Sequence, residues 1–224
     1  MCAIIAFIIK NPTIKDFDLL KRIFLESKIR GRHSTGISYI NKMGNLEKKS
    51  IYGDSIKFIN EILVKYEDFI DNKGNFHIIG HCRYSTSNLN YNQPLCNNLK
   101  SIVHNGVITQ EPYNKWEKLY NIKCHTENDS EILLYEDNPI KKFKKSSLAT
   151  CTLLNNGELS FYRNGKRPLY FCKHDRGIIV VSTKDIAKRS RIESEKCELN
   201  ICYSYKNFNL YKKVMNENLL EYQI

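Results

Sequence analysis

Nowhere in this chain do the roughly 20 consecutive apolar residues needed to cross a bilayer as a helix occur, so a membrane-spanning helix is excluded and no membrane partner is expected. The apolar run at residues 2–9 is too short, follows no basic segment and leads into Lys10-Asn11-Pro12, which argues against a signal peptide. Eight cysteines include no Cys-x-x-Cys pair, and the nearest groupings (His81-Cys82, Cys124-His125, Cys172-Lys173-His174, Cys197 with Cys202) set ligands side by side, a poor arrangement for one tetrahedral site. No metal is therefore expected, and this cysteine usage fits a reducing, cytoplasmic compartment better than a disulfide scaffold. A phosphate-binding loop and a dinucleotide fingerprint are both missing, so no cofactor is expected. With no internal repeat and no linker, the 224 residues read as a single domain, large enough to bury a core.

Acidic residues are in deficit, 24 against 35 lysines and arginines, for a net charge of +11. The densest basic cluster, Lys141-Lys142-Phe143-Lys144-Lys145, has no arginine and one aromatic. It reads as solvated surface, and nucleic acid is not expected as a direct ligand.

What is present begins with Cys2. Removal of Met1 would leave one residue carrying both a soft nucleophile and, in its own α-amine, a nearby base. The two groups titrate near 8.5 and 7.7 to 8.0, so a neutral amine close to pH 7 to 8 can help take the thiol proton. Taken alone, Cys2 reads first as a small core residue at the start of a strand, and only other segments can overturn that reading. Gly80-His81-Cys82-Arg83-Tyr84-Ser85-Thr86 puts Arg83 at a strand end, where a guanidinium can clamp a carboxylate bidentately. Ile102-Val103-His104-Asn105-Gly106-Val107-Ile108 is a strand interrupted by Asn-Gly; the Asn105 amide and the Gly106 backbone N–H are suited to stabilising an oxyanion. Thr126-Glu127-Asn128-Asp129-Ser130-Glu131 is an acidic cluster at a helix start, able to receive a substrate ammonium.

Together with Arg30-Gly31-Arg32-His33-Ser34-Thr35-Gly36 and Gln93-Pro94-Leu95, these motifs resemble, in order and spacing, the class II, N-terminal-nucleophile glutamine amidotransferase domains. The resemblance is strongest over residues 2–190 and includes Arg163-Asn164-Gly165-Lys166-Arg167-Pro168-Leu169 followed by Ile179-Val180-Val181-Ser182-Thr183. It implies an α+β fold, a four-layer αββα sandwich with two mostly antiparallel sheets flanked by helices. It implies Cys2 as nucleophile, Asn105 and Gly106 as oxyanion hole, and Arg30 as support for the nucleophile region. Arg83 would clamp the glutamine α-carboxylate, Tyr84 and Thr86 would contact substrate from the same loop, and Asp129 would bind the α-ammonium. The chain departs from the family pattern at His33, Cys82, Tyr84 and Ser87, positions that bear on the branch of the family and on the ammonia acceptor.

Periodicity places strands at 2–9, 36–41, 46–52, 76–84, 101–109, 148–154, 158–162, 169–172 and 178–182, with a hairpin turn at Asn155-Asn156-Gly157. Helices are expected at 16–29, 55–70 with Ser55 as cap, 112–120 and 129–135. Residues 191–224 read as a C-terminal extension ending in a hairpin of 209–214 and 219–223. The functional expectation is a glutaminase subunit that hydrolyses the glutamine side-chain amide through a Cys2 thioester and passes ammonia to a separately encoded synthase. A stand-alone γ-glutamyl amide hydrolase and a non-catalytic glutamine-sensing module are the alternatives.

Overall fold

The structure, a computed structural model, describes residues 2–85, 90–136, 138–215 and 222–223. In chain order the first half contains β1 (Ala3–Lys10), α1 (Ile14–Ser27), β2 (Ser34–Ile40), β3 (Leu46–Tyr52), α2 (Ser55–Glu61), β4 (Asn75–Arg83), β5 (Leu95–Cys96), β6 (Lys100–Val107), α3 (Trp116–Tyr120) and α4 (Glu131–Tyr135). The second half contains α5 (Pro139–Lys142), β7 (Ser147–Leu154), β8 (Leu159–Arg163), β9 (Tyr170–His174), β10 (Gly177–Val181), α6 (Lys184–Arg189), β11 (Glu195–Lys196), β12 (Ile201–Lys206), β13 (Asn209–Val214) and β14 (Tyr222–Gln223).

The strands form two seven-stranded sheets, the first ordered β11-β9-β10-β1-β4-β2-β3 and the second β14-β13-β12-β8-β7-β6-β5. All described pairings within them are antiparallel. Three apolar layers separate four structural ones. Ile5, Phe7 and Ile9 of β1 pack with Phe17, Leu20 and Phe24 of α1, Phe58 of α2 and Ile186 of α6. Ile4, Ala6 and Ile8 face Val103, Ala149, Cys151 and Phe161 of the second sheet. Beyond that sheet, Ile102, Leu148 and Tyr162 pack with Trp116 of α3 and Ile132 and Leu133 of α4. The fold is therefore the expected αββα sandwich. It also explains why β1 reads as an unbroken apolar run: both faces are covered, so there is no polar face to alternate with.

One expected helix is shorter than its pattern. Instead of 55–70, α2 stops at Glu61, and a 3₁₀ turn follows at Tyr66–Phe69. Phe58, Leu63 and Phe69 are all fully buried. On one continuous helix Leu63 would stand about 140° around the axis from Phe58, so the chain breaks to bring both into one core. The cap is Asp54, not Ser55: Asp54 Oδ1 accepts from the N–H groups of Ile56 (3.0 Å) and Lys57 (3.2 Å), while Ser55 is buried. A carboxylate at this position also complements the helix dipole.

Residues after 190 build both sheets. β11 edges the first, and β12 and β13 extend the second, with β14 pairing Tyr211 to Gln223. Of the expected terminal strand 219–223, residues 219–221 lie outside the described ones. β12 was not expected from the sequence, although Ile201, Tyr203 and Tyr205 alternate with less buried neighbours in the period of a half-covered strand.

No helix among the described residues is long and apolar enough to cross a membrane.

Candidate active site

Strand parity gathers the chemistry at one end of the gap between the sheets. Along β1 the even residues Ile4, Ala6 and Ile8 face the second sheet, and Cys2 shares their parity. On β4, Ile79 faces the gap, which puts His81 and Arg83 on the same face. On β6, Val103 faces it, and Asn105 follows. Ala3 pairs with Cys82 across β1 and β4, so Cys2 stands next to Arg83 in that register.

Three contacts hold Cys2. Its carbonyl oxygen accepts from Arg30 Nε at 2.8 Å and from Asn105 Nδ2 at 2.9 Å. Its sulfur accepts the Tyr84 backbone N–H at 3.4 Å and lies 3.7 Å from the Tyr84 carbonyl oxygen. Arg30 reaches the site from the turn after α1, and that turn sits directly on the end of β4: a Cβ added at Gly31 would fall 2.4 Å from the Cys82 carbonyl oxygen. Burial lowers the pKa values of Arg30 and Arg83. A guanidinium starts so high that both keep their charge.

Arg83 Nη1 donates to the Tyr91 carbonyl oxygen at 2.7 Å and to Asn92 Oδ1 at 2.8 Å. Asn128 Nδ2 donates to the same Tyr91 oxygen at 3.1 Å, tying the Arg83 side chain to the loop that carries Asp129. Asp129 Oδ2 accepts from the N–H groups of Ile108 at 2.6 Å and Thr109 at 3.4 Å, just beyond β6. Tyr84 is exposed, and its ring lies 4.9 Å from that of His33. Thr86 lies outside the described residues, as does Met1.

Asn-Gly does not interrupt β6. The ladder runs through it, with Asn105 opposite Ala149 and Gly106 opposite Leu148. What the pair changes is backbone geometry: Gly106 has φ +149°, and a Cβ there would lie 1.6 Å from the Ser147 carbonyl oxygen.

Residues that stand in the quoted motifs but were given no role there pin β6 from behind. Gln93 pairs with the His104 backbone in both directions, accepting its N–H at 2.6 Å and donating to its carbonyl oxygen at 3.1 Å. Ser147 O, an acceptor only, lies 3.0 Å from His104 Nε2, so that nitrogen carries the proton and Nδ1 accepts from the Ser130 hydroxyl at 2.9 Å. Burial holds His104 below its ordinary pKa, consistent with this neutral tautomer. Burial, and after it the Arg83 charge, push His81 down to about 3. Neither of its ring nitrogens has a partner at hydrogen-bonding geometry; the Asn105 side chain and the His104 backbone are the polar groups beside it.

The two amide hydrogens of Asn105 go to the Cys2 carbonyl oxygen and to Ser182 Oγ, the latter at 3.1 Å.

Five of the other seven thiols are buried, whereas Cys96 and Cys202 are partly exposed, as Cys2 is. Burial pushes Cys82, Cys151 and Cys172 up, and Cys124 and Cys197 up to about 12. Among the described residues no three histidine, cysteine or acidic side chains are grouped to hold a metal ion.

No family model and no curated protein sequence matches the chain. Solved structures do. The glutamine phosphoribosylpyrophosphate amidotransferase from B. subtilis, complexed with ADP and GMP, superposes with a TM-score of 0.71 at 18% identity, over 97% of this chain and 50% of its own. A structure described as the allosteric regulatory enzyme of purine biosynthesis gives 0.70 at 17% identity, over 98% of this chain and 50% of its own. This chain thus spans about half the length of those two. A glutamine aminotransferase class-II domain protein from Silicibacter pomeroyi gives 0.59 at 9% identity, over 96% of this chain and 99% of its own. At such identities the likeness is one of fold, and the fold this chain adopts is that of the class II glutamine amidotransferase domains.

Proposed function

We propose that the chain is a glutaminase that cuts the side-chain amide of glutamine with Cys2. The observation that carries this reading is the convergence of Arg30 and Asn105 on the Cys2 carbonyl oxygen, with Arg83 the next register position across the sheet. The Cys2 thiol gives its proton to the free α-amine, and the sulfur attacks the amide carbon, forming a C–S bond. The negative charge that develops on the amide oxygen is taken by the Gly106 N–H and the Asn105 amide. The C–N bond then breaks as the ammonium of Cys2 protonates the leaving nitrogen, and ammonia departs. Water attacks the thioester, restoring the thiol and releasing glutamate. Arg83 holds the α-carboxylate, Asp129 the α-ammonium, and Tyr84 and Thr86 contact the substrate. Arg30, bound to the Cys2 backbone, keeps the nucleophile in register.

Ammonia made here goes, in this reading, to a separately encoded synthase. Free ammonia is mostly protonated at neutral pH and loses nucleophilicity in bulk water, so a docked acceptor is the physical solution. Exposed Ile29, Tyr52 and Tyr84 are apolar surface suited to such docking; Ile29 adjoins Arg30, and Tyr52 lies two strands from Arg83 through Ser34. A stand-alone γ-glutamyl amide hydrolase, which would use the same nucleophile and clamps without a partner, is the second reading.

Glutamate release from glutamine by protein lacking Met1, with and without a synthase recovered from native extract, tests both. Slow turnover that the synthase raises supports the amidotransferase subunit. High turnover alone, with no response to a synthase, supports the hydrolase. No glutamate release under either condition overturns the glutaminase reading.

A further inference from the structure

We propose that Ser182 is a positioning residue that holds the Asn105 amide as the pivot from which it serves the nucleophile. The proposal rests on the glutaminase reading. β10 ends at Val181, opposite Ile5, because Thr183 turns the chain into α6 and caps it through its hydroxyl. Ile4 thereby loses a backbone acceptor on that side. Ser182 Oγ takes the place, accepting the Ile4 N–H at 2.6 Å. A hydroxyl oxygen has two acceptor sites, and Asn105 Nδ2 occupies the second at 3.1 Å. Ser182 is fully buried, so water does not compete for either site.

The Cys2 carbonyl oxygen, which can only accept, fixes which way the Asn105 amide points: the reversed amide would set Oδ1 against it, which is repulsive. Both amide hydrogens are committed in this conformation, so one must be released before Asn105 can meet an oxyanion. The two are not equivalent. Each acceptor keeps a second donor if Asn105 leaves, Arg30 Nε at 2.8 Å on the Cys2 carbonyl oxygen and the Ile4 N–H at 2.6 Å on Ser182 Oγ, but Cys2 is partly exposed, so water can refill its site, whereas Ser182 is fully buried. Releasing Ser182 instead would strip a buried hydroxyl of a donor and free the amide to turn. The inexpensive motion therefore keeps the Ser182 bond and swings the hydrogen now on Cys2 O toward the developing charge. Ser182 touches neither substrate nor sulfur and acts through Asn105.

A double-mutant cycle tests this in the full chain lacking Met1. Ser182→Ala should lower kcat for glutamine hydrolysis about tenfold, with KM held within about twofold. In the Asn105→Ala background the same substitution should cost nothing more, because the residue it acts through is gone. Ser182→Thr, which keeps the hydroxyl, should recover kcat. Ser182→Cys, nearly the same size but a weak acceptor, should behave as alanine does and carries the test if the alanine variant does not fold. Equal losses in the wild-type and Asn105→Ala backgrounds, or a folded Ser182→Ala protein with wild-type kcat, overturn the proposal. If the wild type releases no glutamate, the glutaminase reading fails by itself, and the Asn105 side-chain NH₂ signals in ¹⁵N spectra decide the positioning. Slow exchange lost in Ser182→Ala supports it; signals unchanged by that substitution overturn it.

Discussion

Asn105 Nδ2 donates to the carbonyl oxygen of Cys2 at 2.9 Å across 103 positions of chain. The bond joins the first strand of one sheet to the second sheet at the open end of the gap between them. It makes the backbone of the candidate nucleophile a tie between the two sheets.

Replacing Cys2 should remove activity as no other thiol substitution does. Cys2→Ala is expected to abolish glutamate release and leave glutamine binding measurable by calorimetry, since in the proposed reading Arg83 and Asp129 carry the binding. Cys2→Ser should retain little activity, because a hydroxyl ionises far less readily than a thiol. Protein that keeps Met1, identified by intact mass, should be inactive for lack of the free amine. A γ-glutamyl adduct mapped by mass spectrometry to any other cysteine, or full activity with Met1 retained, would sink this assignment.

Arg83→Lys should raise the glutamine KM by about 10-fold to 100-fold, the equivalent of one charge-assisted hydrogen bond. Lysine keeps the charge but loses the fork that grips a carboxylate while also meeting the Tyr91 and Asn92 oxygens. Steady-state kinetics checks this, and an unchanged KM removes Arg83 from the substrate clamp.

Gly106→Ala should destabilise the protein by about 2 kcal/mol or more. The added methyl would collide with the Ser147 carbonyl oxygen at 1.6 Å on a backbone with φ +149°, so β6 must separate locally from β7. Urea denaturation is the measurement, and wild-type stability would mean that the strand relaxes freely.

Stability should fall between pH 7 and 5. His81, pushed to about 3 mainly by burial, stays neutral in the folded protein, whereas the unfolded chain protonates it near the ordinary 6.5. His104 is lowered in the same direction. The unfolded state therefore binds more protons as pH drops from about 6.5 toward 3, and the equilibrium shifts toward it. At Asp16, Glu47 and Asp71 hydrogen bonds outweigh the burial that opposes them and lower the pKa values. Their contribution is intact above the ordinary carboxylate range and is lost only at still lower pH. Urea midpoints at pH 7 and pH 5 should show the drop, and His81→Asn should lessen it; equal midpoints in the wild type would contradict neutral burial.

Much of this was legible locally. The apolar run of β1, the Asn155-Asn156-Gly157 turn and the helical spacing of Phe17, Leu20 and Phe24 all report neighbours a few residues away. The 55–70 helix misled because Phe58, Leu63 and Phe69 are brought into one core by a break in the chain, a constraint that no local window contains. Gln93, Ser130 and Ser182 escaped notice as supports because a buried polar residue is recognised by its partner, and their partners lie on other strands and loops.

By itself the sequence determined which residue types were available and on which side of each strand they would stand. The period of two put Cys2 with Ile4, Arg83 with Ile79 and Asn105 with Val103, and only glycine at 106 could carry the backbone that the site requires. Tertiary structure alone decided that these faces meet. Arg30 and Asn105 reach one carbonyl oxygen from 28 and 103 positions away, and Ser182 reaches Ile4 from 178. It also decided which donors are already engaged. A hydrogen bond is set by distances of a few ångströms between groups whose separation along the chain carries no information about them, so that commitment emerges only when the sheets pack.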